Sequence, residues 1–344
     1  MANERYFGNQ NLSQIGGILS EASTGISSVT GDGTRLMWIP GHGAFRAGEI
    51  NGLPTRWDDA NIGTDSVAFG LNNQASGSYS GVFGGHNNVA SGQDDSVFGG
   101  SSNTASGGSS ATLGGSNNTA SGASTIAIGS NCVASTGSAN TAIGNAATAS
   151  SAGGSSTAIG RSPTASGNEA MAIGRSVVAS GTNSNAMGYG IIVSGVNSFG
   201  IGLDTDTTRD LAQDNSLSIM GGNVGVGTLA PNSTLHIQGS QSIQRTPVAA
   251  GNYNVLSTDY LIAKTAITAL GDTITLPDPA ATGIGDGKIF LIKDEAGTAA
   301  IDNITINATA GNIDGAATAT INVNYGGEGF YTDGVDWFSF PRFV

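Results

Sequence analysis

Ten copies of one short phrase lie between Ser66 and Gly202, and their spacing limits the fold more than any other feature of the chain. Each copy closes on a glycine: Gly70, Gly84, Gly99, Gly114, Gly129, Gly144, Gly160, Gly174, Gly188 and Gly202, at steps of 14 to 16 residues. Before each glycine stands a large apolar residue: Phe69, Phe83, Phe98, Leu113, Ile128, Ile143, Ile159, Ile173, Met187 and Ile201. One position earlier the residue is small at Ala68, Ala127, Ala142, Ala158, Ala172 and Ala186. A second phrase closes each unit, from Ala75-Ser76 through to Val193-Ser194. Self-similarity on a short fixed period marks a stacked solenoid.

The letters select strands over helices. Each unit holds two runs of about four small or β-branched residues, parted by Gly, Ser and Asn, which is strand length and turn chemistry. A unit of 14 residues is too short for two helices and a turn. Coils that cannot bury an apolar face alone must stack, at about 4.8 Å per rung, so ten rungs predict a shaft of about 45 Å. The large column is expected to fill the coil interior, and the alanine columns to let a second surface approach. Such a core is too thin to offset the ordering entropy of the segment, so symmetric association with other copies is expected.

Ser66-Val-Ala-Phe-Gly, Thr125-Ile-Ala-Ile-Gly, Thr141-Ala-Ile-Gly and Met171-Ala-Ile-Gly, each followed by Ala-Ser, resemble the head repeats of trimeric autotransporter adhesins of the YadA type. The resemblance covers about 40 % of the chain and implies a trimeric left-handed parallel β-roll. Asn215–Gly239, with Gly222-Asn-Val-Gly-Val-Gly-Thr and Leu235-His-Ile, is similar to a segment common in phage tail fibres. In many of those fibres it precedes a self-cleaving chaperone domain; the Ser/Lys cleavage context is missing here, so self-cleavage is not implied. Tyr253–Tyr260, Lys288–Gly297, Asn303-Ile-Thr-Ile-Asn and Asn312-Ile-Asp-Gly resemble the terminal β-domain of phage fibres and head fibres.

Composition narrows the partners. Only 11 % of residues are charged, against about 25 % in ordinary domains. The net charge is −13, which disfavours nucleic acid, and the Ser/Thr/Asn/Gly flanks between Ser66 and Gly202 offer little grip to a membrane. That stretch carries five charges: Asp94, Asp95, Arg161, Glu169 and Arg175. Arg161 and Arg175 share a repeat position and are expected to stack on the outside, with Glu169 the nearest counter-charge. The lone Cys132 takes the column that elsewhere holds Asn73, Asn88, Asn103 and Asn118. Met1-Ala-Asn-Glu-Arg has no basic and apolar leader, no heptad stalk follows the repeats, and no set of membrane strands closes the chain. A cell-anchored adhesin needs all three, which favours a viral fibre assembled in the host cytoplasm.

Chemistry-bearing motifs are sparse. His42, His86 and His236 lack partners at metal-ligand spacing. Gly222–Gly227 meets Pro231 where a dinucleotide fold would start a helix, and Gly283–Lys288 lacks the phosphate-loop spacing. Asp204, Asp206, Asp210 and Asp214 lack the glycine and glutamate of a calcium loop, so a solvated connector is expected there. Asp94-Asp95 is expected to be an isolated acidic turn rather than half of a glycosidase pair. No enzyme activity, cofactor or metal is predicted.

The expected fold is all-β: a homotrimeric left-handed parallel β-roll solenoid followed by a C-terminal β-sandwich-like knob. Residues 1–30 are expected to attach to a virion tail or capsid protein, 31–65 to form a β cap, 66–203 the shaft, 204–250 a connector and 251–344 the knob. The knob holds ten of the 21 aromatic residues and a net −7. Its strands are expected at 260–264, 272–276, 288–293, 303–307, 319–324, 329–332 and 337–340, with Asp333-Gly334 turning the last hairpin. Tyr325, Tyr331, Asp333, Asp336 and Trp337 are the candidate receptor contacts, because aromatic faces beside carboxylates hold sugar rings. The expected function is a virion-surface fibre that binds a host glycan or protein; the alternatives are a cell-surface trimeric adhesin and a polysaccharide-degrading tailspike.

Overall fold

The computed structural model describes residues 30–340; the attachment segment expected at 1–30 lies, except for Thr30, outside the described residues. Two compact units divide the chain: residues up to Gly225 with 230–236, and residues 226–229 with 237 onward. Strands account for the regular structure, with a single short 3-10 turn at Asp59–Asn61 among the described residues.

The first unit is a β-solenoid. One sheet has 13 strands and the other has ten, and each coil contributes a strand to both. The repeats stack in parallel, and from Ile126 onward in unbroken register, so Ala142 lies against Ala127 and Ala158, and Ile143 against Ile128 and Ile159; a one-residue bulge separates them from Ala111–Ser116, where Gly129 pairs with Gly115. The coils extend past the expected end of the shaft: Asp210–Leu211 and Leu217–Met220 pair on the two sheets as a further rung. From Gly129 to Gly188 the repeated glycine, next to last in its strand, is required for a steric reason. At Gly144 φ is +132°, and a Cβ there would lie 2.0 Å from the carbonyl oxygen of Gly160 in the next coil.

The interior reverses the expected assignment of the two alternating columns. Ala68, Ala127, Ala142, Ala158, Ala172 and Ala186 are buried, and they face Ala75, Ala120, Ala134, Ala149, Ala165 and Ala179 from the second sheet. Phe69, Phe83, Phe98, Leu113, Ile128, Ile143, Ile159, Ile173, Met187 and Ile201 lie on the outer surface. Phe83, Phe98 and Leu113 are 48 %, 57 % and 47 % exposed. A coil this short holds its two sheets close together, so only methyl-sized side chains fit between them, and strand alternation sends their large neighbours outward. Where the corner residue Ile191 and Val193 of the second sheet are bulkier, the first sheet drops to Gly200, whose Cβ would meet both at 2.6 Å.

Polar ladders close the coil corners. The Oδ1 of Asn73, Asn88 and Asn103 accepts the backbone N–H of the equivalent asparagine one coil on, at 2.8 to 3.0 Å. The Nδ2 of Asn103 donates to the carbonyls of Gly99 and Gly115. Cys132 replaces the next asparagine; its N–H donates to Asn118 Oδ1 and its thiol to the carbonyls of Ile128 and Gly144. At the other corner the expected isolated acidic turn divides: Asp94 is exposed and Asp95 is buried. The Asp95 carboxylate accepts from the N–H groups of Gly92, Gly108 and Ser110 and from the Ser110 hydroxyl.

The N-terminal end is closed by the hairpin Gly33–Ile39 with Ala44–Ile50, whose second strand pairs in parallel with Val67–Leu71. Arg46 takes the interior position that Ala68 takes one coil later. It is fully buried, donates to the carbonyls of Phe45, Ser66 and Ala75 and to the Ser66 hydroxyl, and is pushed down to about 10 by burial. Buried Trp57 donates to Asn73 O at 2.8 Å. These long side chains fill the open end and stop further edge pairing.

The second unit is also coiled, which the sequence did not suggest. Arg245–Val248, Leu261–Lys264 and Ile289–Asp294 pair in parallel in one sheet, and Tyr253–Asn254, Asp272–Leu276 and Ile304–Ala308 in the other. Thr318–Ile321, Gly327–Thr332 and Trp337–Ser339 then close both sheets antiparallel. Unlike the first unit it has a bulky core, including Ile262, Ile274, Phe290, Ile304, Phe330 and Trp337.

Two substitutions test the first unit's interior. Ala142→Leu adds three carbons between Ala127 and Ala158 and should cost about 1–3 kcal/mol or more, read as a lower thermal midpoint by circular dichroism. An unchanged midpoint would mean the coil has room to spare. Asn103→Leu strands the N–H of Asn118 and the carbonyl of Gly99, while Gly115 O keeps the N–H of Ser101; at about 1–3 kcal/mol per stranded group it should lower the denaturant midpoint at unchanged slope.

Candidate functional site

The expected receptor residues lie on the closing hairpin of the second unit, where Tyr331 pairs with Phe338 and Thr332 with Trp337. The turn is self-organised. Asp333 Oδ1 accepts the N–H groups of Val335 and Asp336 at 2.9 and 2.8 Å, and Gly334, at φ +90°, donates to the Thr332 hydroxyl. The N–H groups of Asp336 and Val335 hold the Asp333 carboxyl below its usual range. Asp336 Oδ1 accepts the N–H of Asn312 at 2.7 Å and ties the turn to the neighbouring loop.

Alternation along the hairpin separates the candidates. Trp337 points inward, is fully buried, packs on Phe290 at 5.6 Å and donates to Pro277 O, so it belongs to the core and not to a contact surface. Tyr331 points outward, 37 % exposed, with Phe338 and Phe340 each 5.3 Å away. Tyr325 is 61 % exposed but precedes the strand Gly327–Thr332, near whose far end Tyr331 lies, so roughly 20 Å of extended chain part them. Its N–H donates to buried Asp294, and its backbone carbonyl accepts from Lys293. The five residues therefore make no single cluster: Tyr331, Asp333 and Asp336 share one end, Tyr325 sits at the other, and Trp337 is inside.

The outer face of this sheet holds residues that sequence reasoning missed. Leu291 and Phe340 crowd Gly329, where a Cβ would lie 2.6 Å from the Phe340 ring and 3.0 Å from Leu291. Beside them Leu261, Leu291, Lys293 and Gly327 line an apolar depression of about 210 Å³. The readable signal was the outward series Gly327, Gly329, Tyr331, set by placing Trp337 inside. The resulting surface has an aromatic patch, a glycine-floored hollow and a carboxylate turn, suited to stacking on a flat apolar ring face while accepting from hydroxyls.

Several other titratable groups are committed to structure. Asp204 accepts from both Arg209 terminal nitrogens at 2.7 and 2.6 Å, and Arg209 also pairs with Asp206, so the acidic connector carries its own cation. His42 Nε2 meets Asp59 at 2.8 Å. In the second unit, buried Asp259 accepts from Thr246, from the N–H of Leu256 and from Tyr253, whose hydroxyl is pushed up to about 12 by burial and by that hydrogen bond. Lys264 is fully buried, 2.7 Å from Asp272, and also donates to the carbonyls of Ala249 and Gly251. Burial raises the Asp272 carboxyl, but hydrogen bonds from Lys264, Thr268 and the Gly251 N–H outweigh it and bring it down to about 2.

That shift has a signed consequence. A carboxyl depressed from about 4 in the unfolded chain to about 2 when folded contributes stability in full above pH 4 and loses it as pH falls through 2. The urea midpoint of the second unit should therefore drop across that window, and Asp272→Asn should flatten the drop while lowering stability at pH 7. A wild-type midpoint level from pH 5 to pH 2 would contradict the pairing.

No protein-family model matches the chain, and no curated protein matches it, so the site is read from its own geometry.

Proposed function

We propose that this chain is the subunit of a homotrimeric fibre on the surface of a bacterial virus. An N-terminal segment attaches it to tail or capsid, a left-handed β-roll serves as spacer, and the C-terminal unit acts as the knob that recognises a host glycan or protein. The observation that carries the reading is the apolar strip on the outer face of the 13-stranded sheet. One outward column, from Leu36 through Phe69 and Ile143 to Ile219, is apolar along its whole length, while the column beside it mixes Trp38, Val67, Ile126, Met171, Phe199 and Leu217 with Gly81, Ser96, Thr141, Thr157 and Asn185. At about 4.8 Å per rung and a width of about 6 Å, the continuous column covers on the order of 350 Å², to which the apolar members of the second column add. Monomeric proteins rarely expose contiguous apolar patches larger than a few hundred Å².

Copies of the same chain are the natural cover. Identical rung spacing sets apolar rung against apolar rung along the full length, and rotational symmetry closes the assembly without leaving an open face. Three copies follow the resemblance of the repeats to trimeric adhesin heads. Recognition is assigned to the second unit because its face combines Tyr331, Phe338 and Phe340 with the Asp333 turn, whereas the shaft, apart from Asp94, Arg161, Glu169 and Arg175, repeats one neutral surface. The depolymerase alternative loses its acid pair, since Asp95 is buried and fully hydrogen-bonded.

Light scattering on the full chain should give three times 34.0 kDa. Ile143→Glu with Ile159→Glu should yield folded single chains, with strand circular dichroism retained. A stable folded wild-type monomer would overturn the assembly. On a glycan array, Tyr331→Ser should weaken binding of the intact trimer about tenfold or more, the effect of one contact of about 1.4 kcal/mol. Unchanged binding would move recognition off this face.

A further inference from the structure

The apolar strip has two borders, and charge is placed on them unevenly. Its leading border is the column of left-handed corners that precede each first strand, including Tyr79, Asp94, Ser109, Glu169 and Asn183. Its trailing border is the column that ends each strand, including Ser130, Asn145, Arg161, Arg175 and Tyr189. With Asp95 buried, the exposed charges between Ser66 and Gly202 are Asp94, Arg161, Glu169 and Arg175. Three of these four fall in two adjacent coils.

Arg161 and Arg175 lie directly opposite each other in the ladder, where like charges destabilise. None of the ion pairs among the described residues involves them or Glu169. Arg175 stands 5.0 Å over the Tyr189 ring, not against Glu169. Glu169 cannot reach either arginine within its own chain, because it precedes the strand Met171–Arg175 that Arg175 ends, roughly 20 Å across the face. In a ring of copies related by rotation, the leading border of one copy meets the trailing border of the next at the same height.

Resting on the trimer reading above, we infer that the Glu169 carboxylate of one copy lies between the Arg161 and Arg175 guanidiniums of the next, and that this contact sets the axial register of the assembly. The apolar strip alone specifies register weakly. Ile128, Ile143, Ile159 and Ile173 are the same residue in successive rungs, so copies displaced by one coil would bury nearly the same surface. Charge distinguishes these states: a one-coil slip replaces one of the two arginines by Tyr189 or Asn145. Asp94 repeats the relation at a lower level, with His86 on the trailing border one coil before it. In the cap the two borders carry Glu49 and Asp65, like charges, so the pairing belongs to the shaft and not to the cap.

The test uses the full chain carrying Glu169→Cys and Arg175→Cys, treated with a short bismaleimide; buried Cys132 does not compete. Closed covalent trimers on a denaturing gel are expected. Single chains on that gel, from protein that light scattering shows to be trimeric, would overturn the register and leave the trimer standing. A monomeric wild type would overturn both. In parallel, Glu169→Arg should lower the melting temperature of the trimer by about 2–4 °C at low ionic strength. Adding Arg161→Glu and Arg175→Glu should restore it, and the loss should shrink at 1 M salt, where the screening length is about 3 Å. A Glu169→Arg trimer that melts as wild type at low salt would count against the contact.

Discussion

The narrow gap between the two sheets of each short coil governs the rest of the first unit. It admits alanine, occasionally valine, and little else, so the chain cannot place its Phe and Ile residues inside. Those residues go to the outer face instead, where they form the long apolar strip. The corners are buried as well, so backbone groups there need partners supplied by the chain. The asparagine ladder and Asp95 answer that need, each side chain serving the coil after its own. The exceptions obey the same limit: Arg46 and Trp57 enter the interior only at the end, where no further coil competes for the space.

The second unit shows what happens when the limit is relaxed. Its coils are long and unequal, with Leu261 stacking on Leu291 thirty residues later and Ile274 on Ile306 thirty-two later. Wider loops let the sheets stand apart, and the gap takes Ile, Leu, Phe and Trp. A unit built this way buries a core of its own. Burial of Lys264 with Asp272 is tolerable there because all the polar atoms that matter are paired: three acceptors surround the ammonium, and the carboxylate accepts from Thr268 and Gly251 as well. A buried pair with fewer partners would cost more than it returned.

Much of this was legible in the chain. Fixed glycine spacing told of stacked strands, and Asp333-Gly334 told of the last hairpin, whose strands fall within two residues of those expected. What misled was the habit of putting the larger of two alternating apolar residues inside. Hydrophobicity ranks Ile143 above Ala142, but coil width, which no single repeat reveals, decides between them. The extra rung at Asp210–Leu211 and Leu217–Met220 was hidden because it lacks the closing glycine. The coils of the second unit were hidden because a solenoid with unequal steps has no period to find. At the candidate site, aromatic content drew attention to the closing hairpin, while assigning a face to each residue required knowing that Trp337 turns inward.

A periodic rod is poorly equipped to recognise anything along its length. Each rung repeats the surface of the last, so a ligand that fits one coil fits many, and no position is preferred. Specificity needs a break in the period. The first unit breaks in two places: at the cap, where Arg46 and Trp57 replace alanine, and at the charged coils around Glu169, where a uniform neutral surface acquires both signs. The second unit is aperiodic throughout, and its outer face alone sets aromatic rings, a glycine-floored hollow and an ordered carboxylate turn beside one another. Under the fibre reading these three irregular places divide the work: the cap terminates the stack, the charged coils align the copies, and the aromatic face meets the host. The regular coils between them supply length and a surface for self-association, which are the two properties that repetition provides.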